Sequence, residues 1–190
     1  MKLIHAKIMK LTNGYTALFS LLIFLLFVII VLPNEAQKGE VLGLISGPDT
    51  SLFYTAEQLY DIANEYGPDG REFYIHQRYT FDLIWPVVYG SFILISSTYF
   101  HKKSNLLKKY SLLSYFSVIA VIFDYLENMM TSVVMYRYPT KTPILDNLAG
   151  YMTLLKWITL GFAFIILMIL SVTYTFESIN KKINRSKKTS

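Results

Sequence analysis

Apolar residues in this chain come in blocks rather than at the three-and-four spacing of a soluble amphipathic helix. Four blocks, at 15–32, 81–100, 111–135 and 148–173, each come close to or exceed the ~20 residues with which a helix crosses ~30 Å of hydrocarbon. The pattern predicts an all-α, polytopic membrane protein, a bundle of four transmembrane helices running up and down. Its outer loop, 33–80, is too long to be a mere connection and carries periodicity of its own.

Thr55-Ala56-Glu57-Gln58 reads as a capping box, since the Thr hydroxyl accepts from the third helical amide while the Gln side chain reaches back. Leu59, Ile62, Ala63 and Tyr66 then share one face, Glu57, Asp61, Asn64 and Glu65 lie away from it, and Gly67-Pro68 ends the run. A short amphipathic helix lying across the outer surface follows. A second helix is expected to start near 68–70 and to run unbroken through Arg71, Tyr74 and Arg78 into the second span, where Pro86 kinks it one turn inside. The stretch 39–51, with Gly47-Pro48-Asp49, reads as irregular chain, and the basic tail 177–190 as frayed after Ile183.

Charge decides orientation. The net charge is +5, but the basic residues are grouped: Lys2, Lys7 and Lys10 precede the first span, Lys102, Lys103, Lys108 and Lys109 join the second to the third, and Lys181, Lys182, Arg185, Lys187 and Lys188 follow the fourth. The loop 33–80 instead carries eight carboxylates against Lys38, Arg71 and Arg78. The positive-inside rule therefore expects a multi-pass protein of the cell membrane with cytoplasmic N- and C-termini. These clusters act as topogenic signals that touch anionic membrane lipids, with no nucleic-acid partner. The first span is read as a retained anchor, being longer than the roughly 7 to 15 apolar residues of a signal peptide and followed by a poor cleavage site at Asn34-Glu35-Ala36. One membrane domain accounts for 1–190 at 53% hydrophobic residues and a mean hydropathy of +0.38. The absence of cysteine excludes disulfide frameworks, thiolate metal sites, cysteine nucleophiles and dithiol relays.

The candidate chemistry lies in the third span. Asp124-Tyr125-Leu126-Glu127-Asn128 places two carboxylates and an amide near mid-membrane, where an ionisable group costs at least ~2.5 kcal/mol and marks a functional-site hypothesis. One face of that helix reads Ser117, Ala120, Asp124, Glu127, Asn128, Thr131 and Met135, small or polar almost throughout, and should face the bundle. At ~1.5 Å per residue, Lys156 of the fourth span comes level with Glu127, and Tyr89 of the second approaches Asp124. A polar column thus descends from Asp82 at the outer rim through Asn128, Glu127, Lys156 and Tyr89 to Asp124. Glu127 and Asp124 are its candidate acid and base, and Asp82, Tyr89, Asn128 and Lys156 its candidate ligand contacts. Arg71 and Arg78, with Tyr74 between them, stand at the outer interface, where a headgroup phosphate or the loop's own carboxylates would take up the guanidinium groups. His5 and His101 fall inside and His76 outside, so no metal is expected, and no motif calls for a cofactor.

Three functions fit this pattern. The first is binding or processing of a small amphiphile, lipid or other lipophilic small molecule entered from the outer leaflet. The second is a proton or cation transport component, and the third a structural or accessory subunit of a homo- or hetero-oligomer in which Glu127–Lys156 and Asp124–Tyr89 merely set helix register.

The runs Gly67-Pro68-Asp69-Gly70-Arg71-Glu72-Phe73-Tyr74, Phe81-Asp82-Leu83-Ile84-Trp85-Pro86-Val87-Val88-Tyr89, Asp124-Tyr125-Leu126-Glu127-Asn128, Tyr138-Pro139 and Leu155-Lys156-Trp157 together resemble a family of small four-span prokaryotic integral membrane proteins without an assigned activity. The resemblance covers most of the chain from the outer loop onward and implies the same topology and the same polar residues. In architecture alone the chain is similar to the sterol isomerase and sigma-2 receptor group, whose bundles hold acidic residues in a lipid-accessible cavity.

Overall fold

The structure, a computed structural model, describes residues 2–44, 47–48, 51–104 and 108–189. Among these the secondary structure is helical, with no β-strand, and four helices are long and apolar enough to cross a membrane: Gly14–Val41, Phe81–Lys103, Ser111–Arg137 and Leu145–Asn184. This is the architecture of a multi-pass membrane protein.

A short helix, α1 (Lys2–Leu11), precedes the first span. Asn13 separates it from α2 (Gly14–Leu26) by accepting from the Tyr15 and Thr16 amides at 2.9 and 3.0 Å while Thr16 accepts from the Asn13 amide at 2.8 Å. The first span does not stop at residue 32. A π-helical turn, Phe27–Val31, leads into α3 (Leu32–Val41), so helix extends well into the stretch expected to be loop. The cause is local: Pro33 has no N–H for the preceding turn, and the wider turn just before it, closed by Leu32 N–H on the Phe27 carbonyl, absorbs the mismatch. Gly43, at φ 76°, then caps α3. Of the stretch expected to be irregular, 45–46 and 49–50 lie outside the described residues.

Helix α4 (Ala56–Glu65) carries the capping box at Thr55 and Gln58, with bonds of 3.2 and 2.9 Å, and it buries Leu59 and Ala63. Gly67, at φ 61°, turns the chain into α5 (Gly67–Tyr79). Here one expectation fails. Helix α5 does not run into α6 (Phe81–Lys103), because Thr80 leaves helical geometry at φ −122°, ψ −83° and its hydroxyl donates to the His76 carbonyl at 2.8 Å. A Thr that hydrogen-bonds its own upstream backbone competes with helix continuation. Pro86 is buried within a continuous α6.

A 3-10 stretch, Lys108–Tyr115, leads into α7 (Phe116–Arg137), and α8 (Leu145–Thr189) closes the chain. The end expected to fray after Ile183 continues as helix. Particular contacts tie the spans together: Phe27 meets Phe81, Gly14 faces Tyr99, Tyr89 meets Asp124 and Phe116 meets Phe162. Two apolar cores result. One gathers Tyr54, Leu59, Ala63, Tyr74, Val134 and Ala149 around α4 and the ends of α7 and α8; the other gathers Tyr89, Phe92, Ile93, Ala120 and Ala163. The polar residues of α7 lie between them.

Candidate functional site

The stripe predicted on the third span is the buried face of α7: Ser117, Ala120, Asp124, Glu127, Asn128, Thr131 and Met135 are all inaccessible or nearly so. Thr131 and Ser132 turn their hydroxyls back onto helix carbonyls, at 3.0 Å to Glu127 and 2.7 Å to Asn128, which consumes their donors within α7. The carboxylates and the amide of Asn128 remain for neighbouring helices.

Lys156 of α8 brings its ammonium to 2.5 Å from Glu127 Oε2 and 4.0 Å from Asp124 Oδ1. Glu127 is fully buried and Lys156 is 5% exposed. Asp124 accepts from the Tyr89 hydroxyl of α6 at 2.8 Å and from Asn128 Nδ2, one turn along its own helix, at 3.2 Å. Asn128 in turn accepts from Arg78 Nη1 at 3.2 Å, and the same guanidinium donates to Asp82 at 2.7 Å. Arg78 also lies over the Tyr74 ring, 4.1 Å from its centroid. Hydrogen bonds therefore join α5, α6 and α7, and the ion pairs of Lys156 add α8.

Arg78 is the member that sequence reasoning misplaced. The sequence places it at the outer interface, against a headgroup phosphate or the loop's carboxylates, yet it is 5% exposed and belongs to the buried network. The break at Thr80 is what allows this, since α5 ends just after Arg78 and α6 restarts with Asp82 in reach. The i,i+4 spacing of Arg78 and Asp82 was the available signal. Arg71 stands apart: it donates to the Ala63 carbonyl at 2.7 Å and covers the Tyr138 ring at 4.6 Å, tying α5 to α4 and to the end of α7.

A cavity of about 670 Å³ opens beside the network. Asp82, Tyr89, Asp124, Lys156, Tyr74 and Arg78 line it, whereas Glu127, Asn128 and Arg71 do not. Its walls are aromatic: Phe24, Phe81, Trp85, Trp157 and Phe164 contribute, with Trp85 stacked on Phe24 at 5.9 Å and edge-on to Tyr89 at 5.5 Å. Helix α3, which the sequence pattern treated as loop, supplies Glu35, Ala36, Gly39 and Glu40 to the same cavity. Concave, largely apolar walls with a few convergent charges are the usual make-up of a small-molecule site. Among the described residues no three His, Asp or Glu side chains converge as metal ligands do.

Electrostatically, three carboxylates, Asp82, Asp124 and Glu127, face two cations, Arg78 and Lys156. Glu127, paired with Lys156, does not line the cavity, whereas Asp124 and Asp82 do. Comparison with protein-family models, with curated proteins and with solved structures gives no match to this chain.

Proposed function

We propose that this protein is a small up-down bundle of the cell membrane, both termini cytoplasmic, that binds an amphiphile or lipid in the cavity between α2, α3, α5, α6 and α8. The polar head contacts Asp124, Lys156, Arg78 and Asp82, and the aromatic walls take the apolar body. The amphipathic helix α4 packs against α5, α7 and α8. One observation carries this reading: the charges of α5, α6, α7 and α8 converge on the floor of an open, aromatic-walled cavity rather than on a sealed core. Any chemistry performed there is proton transfer at Asp124, which Tyr89 and Asn128 hold in place.

The pairing of Glu127 with Lys156 supports a register-setting role for Glu127 itself. Transport draws less support, because Phe92, Ile93, Ala120, Ala163 and Leu167 form an apolar layer beyond Tyr89 and Asp124.

Both tryptophans of the chain, Trp85 and Trp157, line the cavity, so intrinsic fluorescence reports on its occupancy. Decanoyl lysophosphatidylcholine with a headgroup nitroxide should quench them saturably in the wild type. Asp124→Asn should weaken that binding about tenfold, the order expected for a charge-assisted contact in a dry site. Quenching that rises only linearly in the wild type, or saturates unchanged in Asp124→Asn, would overturn the proposal.

A further inference from the structure

The first span, Gly14–Val41, is buried along only 6% of its most apolar stretch. Its α2 part rests on α6, with Phe24 stacked on Phe92 at 4.5 Å and on Trp85 at 5.9 Å, and packs far more closely on α6 than on α8, which it meets through Phe24 and Phe164. The result is a seam between α2 and α8, floored by α6. The cavity described above occupies the outer part of that seam. A second cavity, of about 460 Å³, occupies the part nearer the basic end, between Ala17 and Leu21 of α2, Ser96 and Tyr99 of α6, and Leu167 and Ser171 of α8.

The two cavities share all three helices, and the stacked rings of Phe24 and Phe92 stand between them. Phe24 lines the first, Phe92 lines the second, and the rings lie nearly parallel at 14° with Phe164 6.4 Å from Phe24. Beyond that septum the lining is apolar but for small hydroxyls at Ser96 and Ser171 and the Tyr99 ring. The charges all lie on the other side. From Tyr89 to Tyr99 the seam is ~15 Å long at 1.5 Å per residue, the reach of an extended hydrocarbon tail.

We propose that the seam holds a single-chain amphiphile along its length, the head in the charged cavity and the acyl tail in the second, with Phe24 turning aside to let the tail pass Phe92. The inference rests on the amphiphile reading and adds a tail site to it. Side chains at Ala17 and Ser96 then set the chain length that the protein accepts.

The test is titration of the full chain in phosphatidylcholine nanodiscs with decanoyl and palmitoyl lysophosphatidylcholine, each with a headgroup nitroxide, reading Trp85 and Trp157 and referring affinity to mole fraction in the bilayer. The palmitoyl probe should bind at least about tenfold tighter, a difference that buried methylenes supply. Ser96→Phe, which fills the second cavity, should abolish the difference and leave the decanoyl probe unchanged. Ala17→Leu fills it from the opposite wall and should do the same, so a folding defect in one variant does not decide the outcome. Equal affinity of the two probes in the wild type, or a preference that survives both fillings, would overturn the tail site while the head site stands. Linear, non-saturating quenching by both probes would remove the amphiphile reading and the tail site with it.

Discussion

With Lys156 held 2.5 Å from Glu127 and both side chains largely buried, neither residue can be removed alone at low cost. Deleting one partner of a buried pair strands the other charge, a loss of ~3–5 kcal/mol, whereas replacing both by apolar groups is often neutral. Lys156→Met should therefore lower the midpoint of thermal unfolding in detergent sharply, and Lys156→Met combined with Glu127→Leu should recover most of it. A double variant as unstable as the single one would show that Glu127 does more than hold register. At this scale the spacing of Asp124, Glu127 and Asn128 announced the site, because helical periodicity alone puts them on one face. Arg78 was not legible in the same way. Whether a loop cation points to water or into a bundle depends on a backbone break at Thr80, which propensity does not forbid or demand.

Close approaches between elements rest on particular glycines. At Gly150 of α8 a Cβ would overlap the backbone carbonyl of Tyr54, which leads into α4, whereas at Gly161 of the same helix nothing lies within 4 Å. Gly150→Ala should thus push the 51–54 segment off α8 and cost ~1–3 kcal/mol, despite the better helix propensity of Ala. Gly161→Ala should be neutral or slightly stabilising, and equal unfolding midpoints for the two variants would contradict the packing described. Helix α4 could be read in advance, since a capping box, an apolar face and Gly67-Pro68 are local signals with local causes. Helix α3 could not, because Pro33 is an ordinary loop signal until the π turn before it makes the proline the second residue of a new helix.

For the whole molecule, the orientation proposed from the charge pattern is directly measurable, because the sequence has no cysteine. Glu57→Cys should react with a membrane-impermeant maleimide on intact cells, and Lys182→Cys only after permeabilisation; the opposite pattern would invert the topology and place the cavity on the cytoplasmic side. The number of apolar spans, the approximate limits of the second and third, and the polar face of α7 were determined by the sequence alone. Hydrocarbon thickness and helical period act on each segment independently of its neighbours. Only the tertiary structure decided that Arg78 joins the network and that Glu127, paired with Lys156, does not line the cavity while Asp124 does. It also decided that a cavity lies between α2, α6 and α8. Those outcomes depend on how separate helices pack, and two residues far apart in the chain carry no local signal of which side of a shared wall each will occupy.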